Sequence, residues 1–298
     1  MKFLTVSRLT GAIALTAFSV LLFSCQKEDN LQNPDTIPEN EAALYADEAA
    51  RADASFDDLD AISQVAAEED NNAVDEAGRG YFPLFVSLRA IIGQCADISV
   101  LPVDGSFPKT ITIDFKDSCI GVDGKVRAGK ILITLSAPRR QTGSVATIKL
   151  VNYSVNRVKL EGTKTVTNSS TAAGIHFTVK VTGGKVTFPN GHGYSIEALK
   201  TKVQVAGGLT PAVVDNIYQI TGRAVVTFNN GVKVTIETTD PVIKKALCYW
   251  RSDGTLKVVI NDNFRMDMDY GFPNNGACDN KALLTWNAGA SQKIILLP

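Results

Sequence analysis

Between residues 81 and 298, apolar and polar side chains alternate with a period of two. In Gly174–Gly183, Ile175, Phe177, Val179 and Val181 point one way and His176, Thr178, Lys180 and Thr182 the other. In Arg157–Thr167, Val158, Leu160 and Val166 oppose Arg157, Lys159, Glu161, Thr163 and Thr165. In Phe264–Tyr270, Phe264, Met266, Met268 and Tyr270 oppose Arg265, Asp267 and Asp269. Such alternation gives each strand one dry and one wet face, the habit of antiparallel sheets. Asp123-Gly124, Gly183-Gly184, Asn190-Gly191, Asn230-Gly231 and Asp253-Gly254 read as turns, because they supply the positive φ angles that tight hairpins need. No strand-plus-helix alternation appears, which argues against a parallel α/β sheet. The pattern predicts an all-β region of roughly twelve to fifteen antiparallel strands. It would be a β-sandwich or a long curled meander.

Upstream the pattern changes. From about Glu41 to Glu69 the chain is rich in Ala and acids, with no Gly or Pro, and Leu59, Ile62, Val65 and Ala66 fall at helical spacing. Asp53 or Ser55 stands where a cap ahead of Phe56 would sit. This predicts one or two short helices, either packed on the β region or only partly ordered. Pro34 and Pro38 mark Asn30–Asn40 as extended linker, and Gly78 and Gly80 mark a hinge. The predicted organisation is a signal peptide (1–24), a lipidated N-terminus and linker (25–40), an acidic helical segment (41–80) and an all-β domain (81–298).

The signal peptide follows from Lys2 and Arg8 ahead of the largely apolar run Leu9–Phe23, whose 15 residues are short for a membrane span. It ends in Leu22-Phe23-Ser24-Cys25, which resembles the lipobox of bacterial lipoproteins. That resemblance implies a diacylglyceryl group on the Cys25 thiol, cleavage before Cys25 and acylation of the new amino group. Two or more chains anchor stably where one does not. The next residues, Gln26-Lys27-Glu28-Asp29, resemble the export signal of surface-exposed lipoproteins of Bacteroidota. The expectation is a lipid-anchored outer-membrane protein at the cell surface, with the periplasmic face as the alternative.

Charge sharpens the division. Residues 26–80 hold 16 acids against three bases, whereas residues 81–298 hold 25 Lys or Arg against 15 Asp or Glu. An acidic arm beside a basic domain either docks on it or serves as a solvated, self-repelling tether, and the tether is the simpler expectation. The bases are dispersed among Thr and Asn along strands, with no nucleic-acid signature. Glycans, other envelope components or a protein are the candidate partners, besides the membrane that holds the lipid.

Four cysteines remain after Cys25: Cys95, Cys119, Cys248 and Cys278. An exported chain meets an oxidising compartment, so two disulfides are expected, in one of three connectivities. Ile113-Asp114-Phe115, Cys119 and Lys130–Thr134 are echoed by Met268-Asp269-Tyr270, Cys278 and Lys281–Thr285. This favours Cys95–Cys119 and Cys248–Cys278, each contributing about 3–4 kcal/mol. With no Cys-x-x-Cys and two histidines, a metal site is not expected.

No catalytic or cofactor motif is present. His176 and His192 lie in no nucleophile motif, and no Gly-x-Ser-x-Gly occurs. Asp267 and Asp269 share a strand face and could pair for hydrolysis, but with Arg265 beside them they read as a solvated face. Asn261-Asp262-Asn263 lacks the spacing of a calcium loop. Trp286 aligns with Ala282 and Leu284 and reads as core. The candidate binding surface is Tyr249 and Trp250 beside Cys248, with Arg157 and Lys159 on a wet strand face.

Asn152–Asn156, Glu161–Asn168 and Asp269-Tyr270-Gly271 with Cys278-Asp279-Asn280, added to the Asp114 and Cys119 region, resemble a group of Bacteroidota lipoproteins of unknown function. The resemblance spans most of residues 40–298 and implies a fold, with no catalytic residues. The expected function is a non-enzymatic, surface-displayed binding or interaction module. A fimbrial or adhesin-like subunit polymerising through a strand edge is one alternative. A lipid or lipoprotein carrier, with a curved sheet around an apolar cavity, is another.

Overall fold

The computed structural model describes residues 37–71, 73, 80–81, 83–208, 215–246, 248–273 and 276–297. The signal segment, Cys25, the Gln26–Asp29 stretch, Pro34 and Gly78 lie outside the described residues. Helix α1 spans Glu39–Asn71 and helix α2 spans Val86–Ile92. The strands that follow are β1 (Asp97–Leu101), β2 (Lys109–Asp114), β3 (Cys119–Ile120), β4 (Val126–Leu135), β5 (Val145–Val155), β6 (Val158–Asn168) and β7 (His176–Thr187). They continue with β8 (Gly193–Ala206), β9 (Ile217–Phe228), β10 (Lys233–Lys245), β11 (Asp253–Ile260), β12 (Phe264–Asp269), β13 (Lys281–Trp286) and β14 (Ser291–Leu296). All fourteen belong to one sheet, in the order β1-β2-β4-β5 and then consecutively to β14, with β3 paired to β4 off this path. Every pair is antiparallel. Among the described residues no pair joins β1 to β14, so the meander stays open. It is a single curled sheet and not a sandwich.

The curl follows from what the sheet touches. Lys109 of β2, Arg127 of β4, Lys164 of β6, Lys202 of β8 and Lys293 of β14 all reach acids or a carbonyl of α1. One helix can meet strands from near both edges of a sheet only if the sheet bends around it. Alanine makes the approach close: Ala42, Ala46, Ala49, Ala50, Ala52, Ala66 and Ala67 are essentially buried. Alanine is also the strongest helix former, which suits a 33-residue helix without Gly or Pro. The dry strand faces, including Ile131, Ile133, Val166, Phe177, Val226, Val258 and Met268, complete the same core.

Glycines inside strands supply the bends. Gly162 sits in β6 with φ 117°, at a register shift against β7, and a Cβ there would lie 2.7 Å from Gly184 Cα. Gly222 in β9 has φ 142°, and a Cβ would lie 2.4 Å from the Leu199 carbonyl oxygen. Such kinks bend a sheet. Two glycine-containing dipeptides expected as turns belong to this class. Gly183-Gly184 lies within β7 and Asp253-Gly254 opens β11, each at a register shift. A positive φ serves a bulge as readily as a hairpin, so the dipeptide alone does not separate them.

From Glu39 to Asn71 the acidic segment is one continuous helix, and it is docked. It does not form the solvated tether that charge alone suggested, and residues 34–298 form one compact unit. Asp53 and Ser55 lie inside α1 and cap nothing; the Ser55 hydroxyl donates to the Arg51 carbonyl at 2.8 Å. Cys95–Cys119 and Cys248–Cys278 are both bonded, the pairing favoured by the hairpin echo. The two echoing hairpins, β2–β4 and β12–β13, stand near opposite ends of the strand order.

Candidate functional site

The concave side of the sheet is a basic trough filled by the acids of α1. Asp53, fully withdrawn from solvent, lies 2.6 Å from both Lys200 Nζ and Arg251 Nη2. Asp57 accepts from Arg251 Nε at 2.8 Å and Nη2 at 2.6 Å. Asp60 accepts from Lys202 at 2.7 Å, and Lys164 donates to the Phe56 carbonyl at 2.6 Å. Asp58 meets Lys125 at 3.2 Å and Arg127 at 3.1 Å, and Arg127 also meets Asp123 at 2.6 Å. Near the C-terminus of α1, Asp70 meets Lys109 at 2.8 Å, and Tyr81 donates to Asp70. The Glu69 carboxylate accepts from the Ser87 and Leu88 amides at the start of α2.

Burial would raise these carboxyls, but the neighbouring cations win. Asp53, Asp57, Asp58 and Asp60 are all held below the ordinary carboxylate range, Asp57 chiefly by Arg251 and Lys200, and Asp60 by Lys202 and Lys164. Burial pulls Lys164 down despite Asp60 and Asp57. Desolvation opposes Arg251 and Arg127 as well, yet their acidic partners hold both above the usual guanidinium value. A buried charge is tolerated only with such partners.

Beside the trough the packing opens. A cleft of about 200 Å³ runs along residues 51–58 of α1, between the β5–β6 turn and the connection from β10 to β11. Asp57, Asp58, Lys125, Lys244, Tyr249 and Trp250 are among its walls. A second cavity of about 90 Å³ shares Asp57, Asp58, Lys244 and Tyr249 and adds Lys202 and Tyr218. Tyr249 is 52% exposed, and its ring meets that of Trp250 edge-on at 6.1 Å. The connection carrying this pair is fixed at Cys248 by the disulfide to Cys278 and at Arg251 by Asp53 and Asp57.

Lys244 is the unusual member. Its ammonium donates to the Cys248 and Tyr249 carbonyls at 2.7 and 2.6 Å. Among the described residues no carboxylate lies within ion-pair distance of it. Burial pushes it down to about 8, more than Asp57 can offset.

The residues singled out from sequence are partly assembled here. Tyr249 and Trp250 share the cleft with Asn156 and Val158 of the β5–β6 turn. Arg157 is the other central residue of that turn, not a strand-face residue: Asn156 and Arg157 both have positive φ, 50° and 66°. Lys159 points outward and pairs with Glu161 at 2.9 Å. Asp267 is exposed on the outer face of β12, and the Asp269 carboxylate accepts from the Gly271 amide. His192, in the β7–β8 turn, lies 2.8 Å from Glu48 of α1. Trp286 is only partly buried and donates to Glu39 at 2.9 Å.

The trough itself was missed. Its signal was present: Lys164 falls in phase with Leu160 and Val166, and Lys200 and Lys202 fall in phase with Ile196 and Ala198. Asp53, Asp57, Asp60, Gln64 and Glu68 repeat at helical spacing. Among the described residues no cluster suited to a metal is present, and no helix is long and apolar enough to cross a membrane. Comparison with protein-family models, with curated proteins and with solved structures finds no match for this chain.

Proposed function

We propose that this chain is a non-enzymatic binding lipoprotein, held through lipid on Cys25 in the outer membrane and displayed at the cell surface. The lipobox-like Leu22–Cys25 and the Gln26–Asp29 stretch support the address. The observation that supports binding is the Tyr249–Trp250 cleft, an aromatic-lined recess on a cross-linked connection. Clefts of this kind, apolar walls with a few placed polar groups, are where ligands are taken up. A carrier reading is weaker, because α1 occupies the space where an acyl chain would lie. A fimbrial reading keeps one supporting observation: among the described residues β14 has a single strand partner, and it exposes Ile294 and Leu296.

The test combines address and binding. Cys25→Ser should abolish labelling by a radioactive fatty acid and release a folded protein, and the native protein on intact cells should be open to protease. Purified protein should retain fractionated envelope polymers, and Trp250→Ala should lose them. Lipid labelling that survives Cys25→Ser, or polymer retention indifferent to Trp250, overturns the reading. Ladders of polymer on native gels, lost when β14 is altered, would instead favour the fimbrial subunit.

A further inference from the structure

The cleft holds a cation, Lys244, with no carboxylate at ion-pair distance among the described residues. Lys244 gives two protons to carbonyl oxygens, and its third donor has no carboxylate among the described residues to receive it. Every other basic group on the cleft wall has an acid: Arg51 with Asp47, Lys125 with Asp58, and Arg251 with Asp53 and Asp57. Lys202, on the neighbouring cavity, has Asp60. A half-buried cation whose hydrogen bonds go to carbonyls, with Asp57 offsetting burial only in part, gains from an anion supplied from outside. Beside it stand the Tyr249 and Trp250 rings, which suit a flat face of a ring. Asp57, Asp58 and Asn156 on the same wall suit hydroxyl groups. The volume, about 200 Å³, fits one six-membered ring: a cavity of about 150 Å³ takes benzene.

We infer that the cleft binds a carboxylate-bearing sugar ring, a uronic acid unit of a glycan, with the carboxylate on Lys244 and the ring against Tyr249 and Trp250. This rests on the reading of the chain as a binding module and adds to it the class of ligand. The polar wall distinguishes an acidic sugar from an aromatic acid, whose ring has no hydroxyls for Asp57, Asp58 and Asn156.

The groups facing Lys244 set the pH behaviour. Asp57 and Asp58 come from α1, Arg251 and Tyr249 from the same connection and Lys202 from β8; Arg51 and Lys125 line the cleft beyond. Asp57 and Asp58 are held below the ordinary carboxylate range and Arg251 above the usual guanidinium value, whereas burial brings Lys244 down to about 8. Affinity for a uronate should therefore fall as pH rises through that value, while the ligand keeps its charge.

The experiment is calorimetric titration of the purified full chain with glucuronate oligosaccharides, the matching neutral glucose oligosaccharides and benzoate. Glucuronate should bind roughly tenfold or more tightly than either of the others, the scale of a charge-assisted hydrogen bond. Its affinity should decline between pH 7 and 9. Lys244→Met should erase the preference for the acid, Lys244→Arg should retain it, and Tyr249→Ala should weaken all sugars together. The pH profile of the unaltered protein keeps the test valid if Lys244→Met fails to fold. Equal binding of glucose and glucuronate, or a flat pH profile, overturns the ligand class and leaves the binding module intact. No binding of any ring, with envelope polymers still retained, overturns the cleft as the site. Loss of polymer retention as well removes the module reading.

Discussion

Lys202 and Lys244 line the same small cavity beside α1, one from β8 and the other from the end of β10. Lys202 is met by the Asp60 carboxylate and the Gln64 amide oxygen, and its ammonium lies 3.9 Å from the Tyr218 ring centroid. Lys244 is met by two carbonyls, and among the described residues no acid lies at ion-pair distance. Burial brings the Lys244 ammonium down to about 8. In the trough, cation and acid come from one chain and spend their attraction on docking α1. In the cleft the attraction is left over. A matched pair serves the fold, and an unmatched one is a place where a ligand gains from binding.

The largest effect should come from removing the trough's acidic half. A fragment of residues 81–298 keeps every strand but loses α1, leaving Lys164, Lys200, Lys202, Arg127 and Arg251 without their α1 partners beside an uncovered apolar sheet face. It should be aggregated or without a cooperative thermal transition, whereas the chain from residue 26 should melt cooperatively. A fragment that melts as a soluble monomer would mean that the sheet does not depend on the helix, and the contrast between trough and cleft would collapse.

A single acid tests the same point more finely. Asp60→Ala leaves Lys202 with Gln64 and the Tyr218 ring, and Lys164 hydrogen-bonded to the Phe56 carbonyl, neither with a carboxylate in contact. Breaking a buried pair by removing one partner costs about 3–5 kcal/mol. Chemical denaturation should show a loss of that size. Asp60→Leu combined with Lys202→Met should recover much of it, because removing both charges also removes the desolvation cost. Lys244→Met should cost far less than Asp60→Ala, since no acid is abandoned. If the two single variants are equally damaging, Lys244 is as much a part of the fold as Lys202.

The strand content and the hairpin order were legible in the sequence because period-two alternation and Asn-Gly turns act locally. The disulfide pairing was legible for a related reason: the two Asp-aromatic hairpins repeat with their cysteines. What α1 does was not legible from local pattern. Its acids look like those of any solvated linker until Lys164 and Lys202 are seen to share a strand face with Leu160 and Ile196. Cations in phase with apolar residues imply a buried counter-charge, and the only acid-rich stretch of comparable length is residues 41–70. The cleft was half legible. Tyr249 and Trp250 stood out by type, but Lys244 matters only because the chain folds back so that its ammonium meets the Cys248 and Tyr249 carbonyls.

The smallest effect should come from the outer face, where the same pairing chemistry meets water. Lys159 and Glu161 lie 2.9 Å apart, hardly farther than Lys202 and Asp60 at 2.7 Å, yet their side chains are 49% and 43% exposed. In water the attraction is screened, and two long side chains lose freedom to hold it, so exposed pairs contribute about 0–1 kcal/mol. Lys159→Ala should therefore shift stability by no more than about 0.5 kcal/mol, and raising the salt concentration should change that little. Salt should also leave Asp60→Ala nearly as damaging as before, because ions do not reach the trough. A Lys159→Ala loss approaching that of Asp60→Ala would mean that distance governs these pairs. The predicted gap between the two, a factor of six or more in free energy at nearly equal separation, would instead assign the difference to burial inside the curled sheet.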